Sequence, residues 1–187
     1  MEAMATSLTR FFLKRKYIEP DQVQWLQYGI MRRLMGGLTF VLLVPVGATI
    51  VGWFEAFLFV VTFRFLRTRT GGYHAKTQWG CLLASLSTMV VSLVLAKFFF
   101  FQRLSLSVLL GSVILIWKLS PANNAALHLT KSEIMAIRPR IFVRLIVVVL
   151  MGFAFQCFGI EVINYVSAST LAVAVMLMLS NLGYGMQ

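Results

Sequence analysis

The chain has 187 residues, of which 59% are apolar and only 12% are charged, and its net charge is +11. A soluble domain carries roughly 25% charged residues, so this chain cannot cover a water-exposed surface and is expected to lie in lipid. The charge does not indicate nucleic-acid binding, because the basic residues cluster between apolar runs, where they orient membrane proteins. The length fits one domain, 1–187, and two cysteines are too few for a disulfide framework.

Residues 1–33 predict an amphipathic segment at the membrane surface. Pro20 suits the first position of a helix, and apolar residues then recur at spacings of three and four from Val23 to Leu34. The basic residues around Lys14 would face anionic lipids of the inner leaflet. An ordinary helix packed on the rest of the protein explains the same pattern equally well.

The apolar core, 34–180, divides into three predicted helical hairpins, and two polar stretches, 67–78 and 121–140, separate them. The fold class expected is therefore all-α: a polytopic membrane protein with six transmembrane helices behind the amphipathic N-terminal segment. The predicted crossings are 34–50, 52–66, 79–99, 104–120, 141–158 and 160–180, with turns in the last two hairpins at Gln102-Arg103 and Gly159-Ile160-Glu161.

The distribution of basic residues orients this arrangement. With six crossings and both termini in the cytoplasm, 15 of the 17 Lys and Arg residues lie inside, and only Lys97 and Arg103 lie outside. Both polar stretches then face the cytoplasm. Interfacial aromatics support the helix ends, because three tryptophans fall there: Trp53, Trp79 and Trp117.

The first polar stretch and the crossing that follows it place His74 and Cys81 seven residues apart. A cysteine and a histidine in one polar segment can form a thiolate–imidazolium pair, which is the working part of a cysteine nucleophile. On one continuous helix the two would lie about 10.5 Å apart along the axis. A direct hydrogen bond therefore requires a helix that begins after His74, with Gly71-Gly72 letting the chain fold back. A cysteine and a histidine at a membrane surface are also often incidental.

Basic residues around this motif would favour a thiolate and attract acidic partners, or would only anchor the topology; they are Arg64, Arg67, Arg69 and Lys76. The second cysteine, Cys157, is expected to be a buried small apolar residue at the outer end, too far from Cys81 to pair. His128 in the second stretch is expected to be a solvated loop residue. No metal-ligand spacing is present, so no cofactor is expected.

The motif Arg67…Gly71-Gly72-Tyr73-His74-Ala75…Cys81, together with Ser120-Pro121 before a basic stretch, resembles the accessory gene regulator B (AgrB) family of bacterial membrane endopeptidases. The resemblance covers most of the chain in size, six-helix layout and basic loops. It implies a cysteine endopeptidase of the cell membrane, with its active site at the cytoplasmic face. Such an enzyme removes the acidic C-terminal tail of an AgrD-like precursor peptide, which matures into a quorum-sensing autoinducer.

The resemblance also implies roles for individual residues. Cys81 would be the nucleophile and His74 its general base, while Arg67 and the Gly71-Gly72 pair would support the site or the substrate tail. Three basic residues of the second stretch would attract that tail: Lys131, Arg138 and Arg140. A homodimer is expected by resemblance alone. The run Asn123-Asn124-Ala125-Ala126 departs from the more strongly charged run that family members often carry.

Two other readings of the chain remain open at this point. A membrane thiol peptidase could use the same residues to release a linear peptide. A non-enzymatic peptide transporter or scaffold would need neither His74 nor Cys81, and its inner loops would only bind a partner.

Overall fold

In the computed structural model, the residues described are 2–72, 77–122 and 130–183, and within them the ordered elements are helices. Seven α-helices follow one another along this part of the chain: α1 Glu2–Lys14, α2 Val23–Ala48, α3 Trp53–Thr70, α4 Gln78–Ala96, α5 Phe99–Leu119, α6 Lys131–Cys157 and α7 Ile163–Asn181. Their contacts divide the chain into two compact units, 1–42 and 43–187. The all-α class predicted from composition is confirmed.

The first unit contains α1 and most of α2. The chain reverses after α1 through Lys16, whose φ is 58°, and a short 3-10 turn begins at Pro20, the predicted first helical position. The side-chain amide of Gln27 donates a hydrogen bond of 3.0 Å to the Thr6 hydroxyl, which ties the start of α2 to α1.

Helix α2 is longer than the sequence pattern predicts. It runs without interruption across the predicted boundary at residue 34, so the interfacial segment and the first predicted crossing form one helix, Val23–Ala48. No strong breaker occurs before Pro45, which lies in its last turn. Hydropathy marks where the apolar segment begins, whereas the helix also includes the polar turns before it.

Six long helices, α2 to α7, overlap the six predicted crossings. Among the described residues, three stretches are long and apolar enough to cross a membrane by length and composition: Pro20–Ala48, Trp79–Ala96 and Ile163–Asn181. The protein is therefore a helical membrane protein, while six crossings and the orientation of the termini stay predictions.

The second unit is built around α7, which packs against α3, α4, α5 and α6. Most of α7 is buried, including Ala168, Thr170 and Ala174, because small side chains let neighbouring helices approach closely. Helices α5 and α6 also approach closely, since a Cβ built on Gly152 would lie 2.4 Å from Cδ2 of Leu109.

One predicted turn agrees with the structure and one differs from it. The third hairpin turns at Gly159, with φ 65°, as predicted. The turn expected at Gln102-Arg103 is wrong: the break falls at Lys97-Phe98, and the polar pair belongs to α5. No glycine or proline marks either place, and a polar pair is acceptable near a helix start.

The polar stretches contain more helix than expected. Helix α3 continues through Arg67 and Arg69, and α6 begins at Lys131, ten residues before the predicted crossing at 141. Polarity indicates where a chain leaves the lipid, but a helix continues into water wherever its ends are capped. Cys157 corrects another expectation, because it is exposed at the end of α6.

Candidate active site around Cys81

The end of α3 is shaped by the glycine pair of the motif. Gly71 caps the helix with φ 75°, and its N–H donates a 3.2 Å hydrogen bond to the carbonyl of Arg67. Gly72 has φ 135°, a conformation that L-residues rarely adopt, and its Cα passes close to the backbone of Met176 on α7. The pair therefore turns the chain sharply beside α7.

The second polar stretch is joined to the same place. The N–H of Ala122 donates a 2.9 Å hydrogen bond to the carbonyl of Thr70, the last residue of α3. Ala122 also lies against Gly71, since a Cβ on that glycine would be 3.2 Å from the Ala122 Cβ. The peptide bond between Ser120 and Pro121 is cis. The weaker part of the sequence motif thus packs against the stronger part.

Helix α4 begins where the dyad hypothesis requires, after His74. Thr77 is its N-cap, and the Thr77 hydroxyl accepts a 3.0 Å hydrogen bond from the N–H of Gly80. The N–H of Cys81 donates to the Thr77 carbonyl at 3.0 Å, so Cys81 closes the first turn. Helical side chains lean toward the helix N-terminus, and the half-buried Cys81 thiol therefore lies beside the positive end of α4.

Arg67 and Cys81 are in direct contact. The Arg67 guanidinium hydrogen-bonds to the Cys81 side chain and interacts with it electrostatically. The same guanidinium donates to the sulfur of Met176 and lies over the ring of Phe63, 5.5 Å from its centroid. Arg67 on α3 and Cys81 on α4 are fourteen positions apart in sequence and are thus brought together, and α7 packs beside Arg67 through Met176.

The charge of Arg67 is fixed at physiological pH. Arg67 lies one residue beyond the predicted crossing 52–66, at the polar end of α3. Burial lowers the pKa of Arg67 from its ordinary value, and the charge and hydrogen bond of Cys81 act in the opposite direction. A guanidinium stays protonated despite such effects. The thiol therefore has a permanent cation beside it.

His74, the proposed general base, lies outside the described residues, as do Tyr73, Ala75 and Lys76. The same holds for His128 and the run 123–129. The dyad of His74 and Cys81 therefore stays a prediction. The dyad has two geometric requirements: the start of α4 at Gln78 meets the first, that this helix begin after His74, and the second, that the chain fold His74 back over the first turn, concerns residues outside the described ones.

Arg144 is a residue of the site region whose role the sequence did not reveal. From α6 it donates hydrogen bonds to the carbonyl of Phe65 and, at 2.6 Å, to the Thr68 hydroxyl. Its guanidinium also lies 4.7 Å from the centroid of the Phe65 ring. Arg144 thereby fixes the last turns of α3, which carry Arg67. An arginine inside an apolar run was the available signal, because such residues are costly in lipid.

The three residues expected to attract the substrate tail lie on α6 rather than in a loop. Lys131, Arg138 and Arg140 are all exposed. Arg138 lies over Trp117 of α5, 5.8 Å from the ring centroid, rather than beside Cys81. Lys131 and Arg138 are seven residues apart and share one face of α6, whereas Arg140 projects from the opposite face. We call these three exposed residues the basic start of α6.

A capping box lies at the first residues of α6, beside Lys131. The Thr130 hydroxyl accepts a 3.3 Å hydrogen bond from the N–H of Glu133, whose carboxylate accepts a 2.8 Å bond from the Thr130 N–H. The N–H and the hydroxyl of Thr130 both donate hydrogen bonds to the Glu133 carboxylate, and these two bonds hold the pKa of Glu133 below its ordinary value. Within the described part of the chain, no cluster of three or more His, Cys, Asp or Glu residues could hold a metal ion.

Comparison with known proteins gives one match. The model of the family described as accessory gene regulator B matches residues 5–181, nearly the whole chain. Neither the curated proteins nor the solved structures contain a significant match. The matched range includes the Arg67–Cys81 contact, the basic start of α6 and all of α7.

Proposed function

This chain belongs to the accessory gene regulator B family, whose members take part in processing quorum-sensing peptides, and we propose that it is a membrane cysteine endopeptidase. Its substrate is an AgrD-like precursor peptide, and it removes the C-terminal tail of that precursor. The observation that carries the proposal is the hydrogen bond between the Arg67 guanidinium and the Cys81 thiol. A buried or lipid-facing structural cysteine has no need of a cation, whereas a nucleophilic thiolate is stabilised by one.

Cys81 is the nucleophile in this proposal, and three features support that role. The thiol is half-buried rather than sealed in the core, so a peptide carbonyl can reach it. It lies in the first turn of α4, beside the positive end of the helix dipole. Arg67 adds a full positive charge in contact with the sulfur. His74, in the segment that joins α3 to α4, serves as the general base.

The reaction proceeds through a thioester. His74 takes the proton of Cys81, and the thiolate attacks the scissile carbonyl. As the C–N bond breaks, the proton returns from His74 to the new amino group of the tail, which leaves. The N-terminal portion of the precursor stays attached to Cys81 as an acyl-thioester.

Release of the acyl group then decides between two products. If a cysteine thiolate inside the precursor attacks the thioester, Cys81 leaves and a cyclic thiolactone forms, with one thioester exchanged for another and no ATP needed. If water attacks instead, a linear peptide is released. A partly buried site favours cyclisation by limiting the access of water. The linear-peptide enzyme is thus the nearest alternative to the cyclising one.

The acidic tail of the precursor is proposed to meet the basic start of α6. Exposed cations attract an acidic segment over about one Debye length, roughly 8 Å at physiological ionic strength. Lys131, Arg138 and Arg140 supply three such charges at the N-terminal turns of α6. Gly71 and Gly72 contribute by turning the chain sharply between Arg67 and His74, and Ala122 packs against that turn.

The first unit is proposed to lie on anionic lipids of the inner leaflet. Helix α1 exposes Leu8 and Phe11 and carries exposed Lys14 and Arg15 at its end. Such a combination of apolar and basic side chains binds the membrane surface. A precursor that also lies on the inner leaflet would meet the enzyme there. Formation of a homodimer remains a prediction by resemblance.

The proposal is tested with the full chain in liposomes and an AgrD-like precursor, read by intact mass spectrometry. We expect wild-type protein to carry an adduct of the N-terminal portion that hydroxylamine removes. The Cys81→Ala variant should form no adduct and no cleaved tail, whereas the Cys157→Ser control should behave as wild type. Cleavage by Cys81→Ala at the wild-type rate would reject Cys81 as the nucleophile, and absence of cleavage by the wild type would reject the enzyme and leave a transporter or scaffold. Formation of the adduct on wild-type protein, followed by release of a linear and not a cyclic peptide, would identify the protein as the peptidase that releases a linear peptide.

A further inference from the structure

Two aromatic rings and an arginine lie together on the outside of the second unit, where α5 ends and α6 begins. The Arg138 guanidinium of α6 lies over the Trp117 ring, 5.8 Å from its centroid. The centroids of the Trp117 and Phe142 rings are 5.2 Å apart, and the rings are tilted by 56°. All three side chains are exposed, Trp117 to 39% and Phe142 to 49%. We call Trp117, Arg138 and Phe142 the α5–α6 cluster.

The α5–α6 cluster lies at the same end of the second unit as Cys81, because the chain just after α5 is hydrogen-bonded to the end of α3 beside the candidate active site. Trp117 is three residues before the end of the predicted crossing 104–120, and Arg138 is three residues before the predicted crossing 141–158. By the predicted topology the cluster therefore lies at the cytoplasmic boundary between lipid headgroups and acyl chains, where tryptophan is enriched.

The guanidinium of Arg138 is held in place but keeps its hydrogen-bond donors. Among the residues that the structure describes, its contact is with the ring of Trp117. An aromatic ring attracts a cation through its face, but it offers no lone pairs to the guanidinium N–H groups. The contact restricts the side chain, which lowers the entropic cost of binding a partner. An anionic group with two acceptor oxygens, such as a phosphate or a carboxylate, fits these donors.

Exposed apolar side chains continue from the α5–α6 cluster toward the predicted hydrocarbon region. Ile114 precedes Trp117 by three residues and Ile146 follows Phe142 by four, so each isoleucine shares a helix face with its ring. Both isoleucines are exposed, and at ~1.5 Å per helical residue they lie about 4.5–6 Å deeper than the rings. A soluble anion or an acidic peptide would leave this apolar path uncovered. A phospholipid covers it with an acyl chain while its phosphate meets the guanidinium.

We propose that the α5–α6 cluster binds one anionic phospholipid of the inner leaflet. The phosphate accepts hydrogen bonds from the Arg138 guanidinium, and an acyl chain lies over Phe142 and Ile146. Exposed Lys118, next to Trp117 on α5, adds a second positive charge that favours a headgroup without a cation of its own. The proposed attraction of the acidic precursor tail acts over about one Debye length and needs no contact with Arg138, so the two roles are compatible.

The test measures lipid retention by the full-length protein in detergent, using native mass spectrometry. Equal amounts of phosphatidylglycerol, phosphatidylethanolamine and phosphatidylcholine with identical acyl chains are supplied together. We expect wild-type protein to retain phosphatidylglycerol in preference to both others, since their cationic headgroups are repelled by Arg138 and Lys118. Arg138→Gln should reduce that preference about fivefold, which is the contribution of one basic side chain at an anionic membrane surface. Trp117→Leu should reduce it about two- to fivefold by removing the ring under the guanidinium, whereas Trp117→Phe keeps a ring and should lose less.

Arg140→Gln is the matched control, because Arg140 is an exposed arginine two positions further along α6 that projects from the opposite face. It should keep the wild-type preference within about twofold. Equal losses in Arg138→Gln and Arg140→Gln would mean that anionic lipid is attracted only by the overall charge of this end of α6, and would overturn the site. Equal retention of the three lipids by wild type would overturn it as well.

Two soluble competitors distinguish the lipid from other anions. Glycerol phosphate and a soluble acidic peptide are each added at the concentration of the lipid. Neither should displace phosphatidylglycerol, because neither covers the apolar path along Phe142 and Ile146. Displacement by glycerol phosphate would show a site for free phosphate esters, and displacement by the peptide would show a site for a peptide tail; either result would overturn the proposal. None of these readouts depends on precursor cleavage, so the lipid site and the proposed peptidase can fail independently.

Discussion

Replacing Arg67 by glutamine should slow alkylation of Cys81 near pH 7 by about 3- to 10-fold. Arg67 donates a hydrogen bond from a full positive charge to the Cys81 side chain. Hydrogen bonds to charged groups contribute about 1.5–3 kcal/mol, and each 1.4 kcal/mol is a factor of ten in an equilibrium. The thiolate is the species that reacts, so loss of the charged donor slows the reaction, but a thiolate without its cation is also more nucleophilic, which offsets about half of the effect on a logarithmic scale.

The assay follows iodoacetamide labelling of the detergent-solubilised protein by intact mass. Cys157 is exposed and would react as well, so both proteins carry Cys157→Ser. Arg69→Gln is the matched control, because Arg69 lies on the same helix turn but is exposed. It should leave the rate within about twofold of wild type, since exposed charges interact weakly in water. Arg67→Lys, which keeps the charge but not the planar donor group, should fall in between.

Labelling rates measured over a series of pH values distinguish two roles for the contact between Arg67 and Cys81: interaction with charge on the sulfur and control of access to it. If Arg67 acts through its charge on the sulfur, the ratio of the wild-type rate to the Arg67→Gln rate changes along the pH series. A difference that is the same at every pH would mean that Arg67 controls access to the sulfur. Equal rates in wild type and Arg67→Gln at pH 7 would refute an electrostatic role for the contact altogether.

Three further predictions follow from the backbone and the helix caps. Gly72→Ala should lower the unfolding temperature in detergent by about 2–8 °C, because a left-handed backbone costs an L-residue about 1–2 kcal/mol. The control is Gly111→Ala on α5, where an added Cβ would meet no atom within 4 Å, and it should leave the unfolding temperature unchanged or slightly raised. Thr130→Ala should raise the pKa of Glu133 part of the way to its ordinary value, because one of two hydrogen bonds to the carboxylate is lost; NMR titration of the carboxyl carbon measures this pKa. In the wild type the pKa of Glu133 is lowered, so the stabilisation by these hydrogen bonds is present near pH 7 and disappears as the pH falls through that pKa. Arg144→Met should reduce precursor cleavage more than Arg144→Lys does, since only lysine can still donate to the carbonyl of Phe65, and equal cleavage by both variants and wild type would contradict a positioning role.

Sequence patterns predicted the helices well and their ends poorly. The apolar runs located six long helices, and Gly159 and Pro20 marked a turn and a helix start, because both act through local backbone geometry. Helix α6 begins ten residues before the predicted crossing at 141, although Thr130 and Glu133 have the residue types and spacing of a capping box. Polarity alone does not distinguish a loop from a charged helix that continues beyond the lipid.

The candidate site was predictable only in part. The spacing of glycines, His74 and Cys81 indicated a candidate segment, since the chemistry of a cysteine nucleophile needs those residue types. Two contacts that join different helices could not be read from the sequence: Arg67 with Cys81, and Arg144 with Phe65. Cys157 was expected to be buried and is exposed, because its flanking phenylalanines indicated an apolar setting but not which side of α6 packs.

The central position of α7 bears on how the protein is made. A ribosome delivers the chain from its N-terminus, so α3, α4, α5 and α6 are synthesised before their common neighbour. Until Ile163–Asn181 follows, the faces of these helices that will cover it lack their partner. Assembly of the bundle is therefore completed late, and a nascent chain stalled before residue 163 contains the Arg67 and Cys81 side chains without the helix that closes around them.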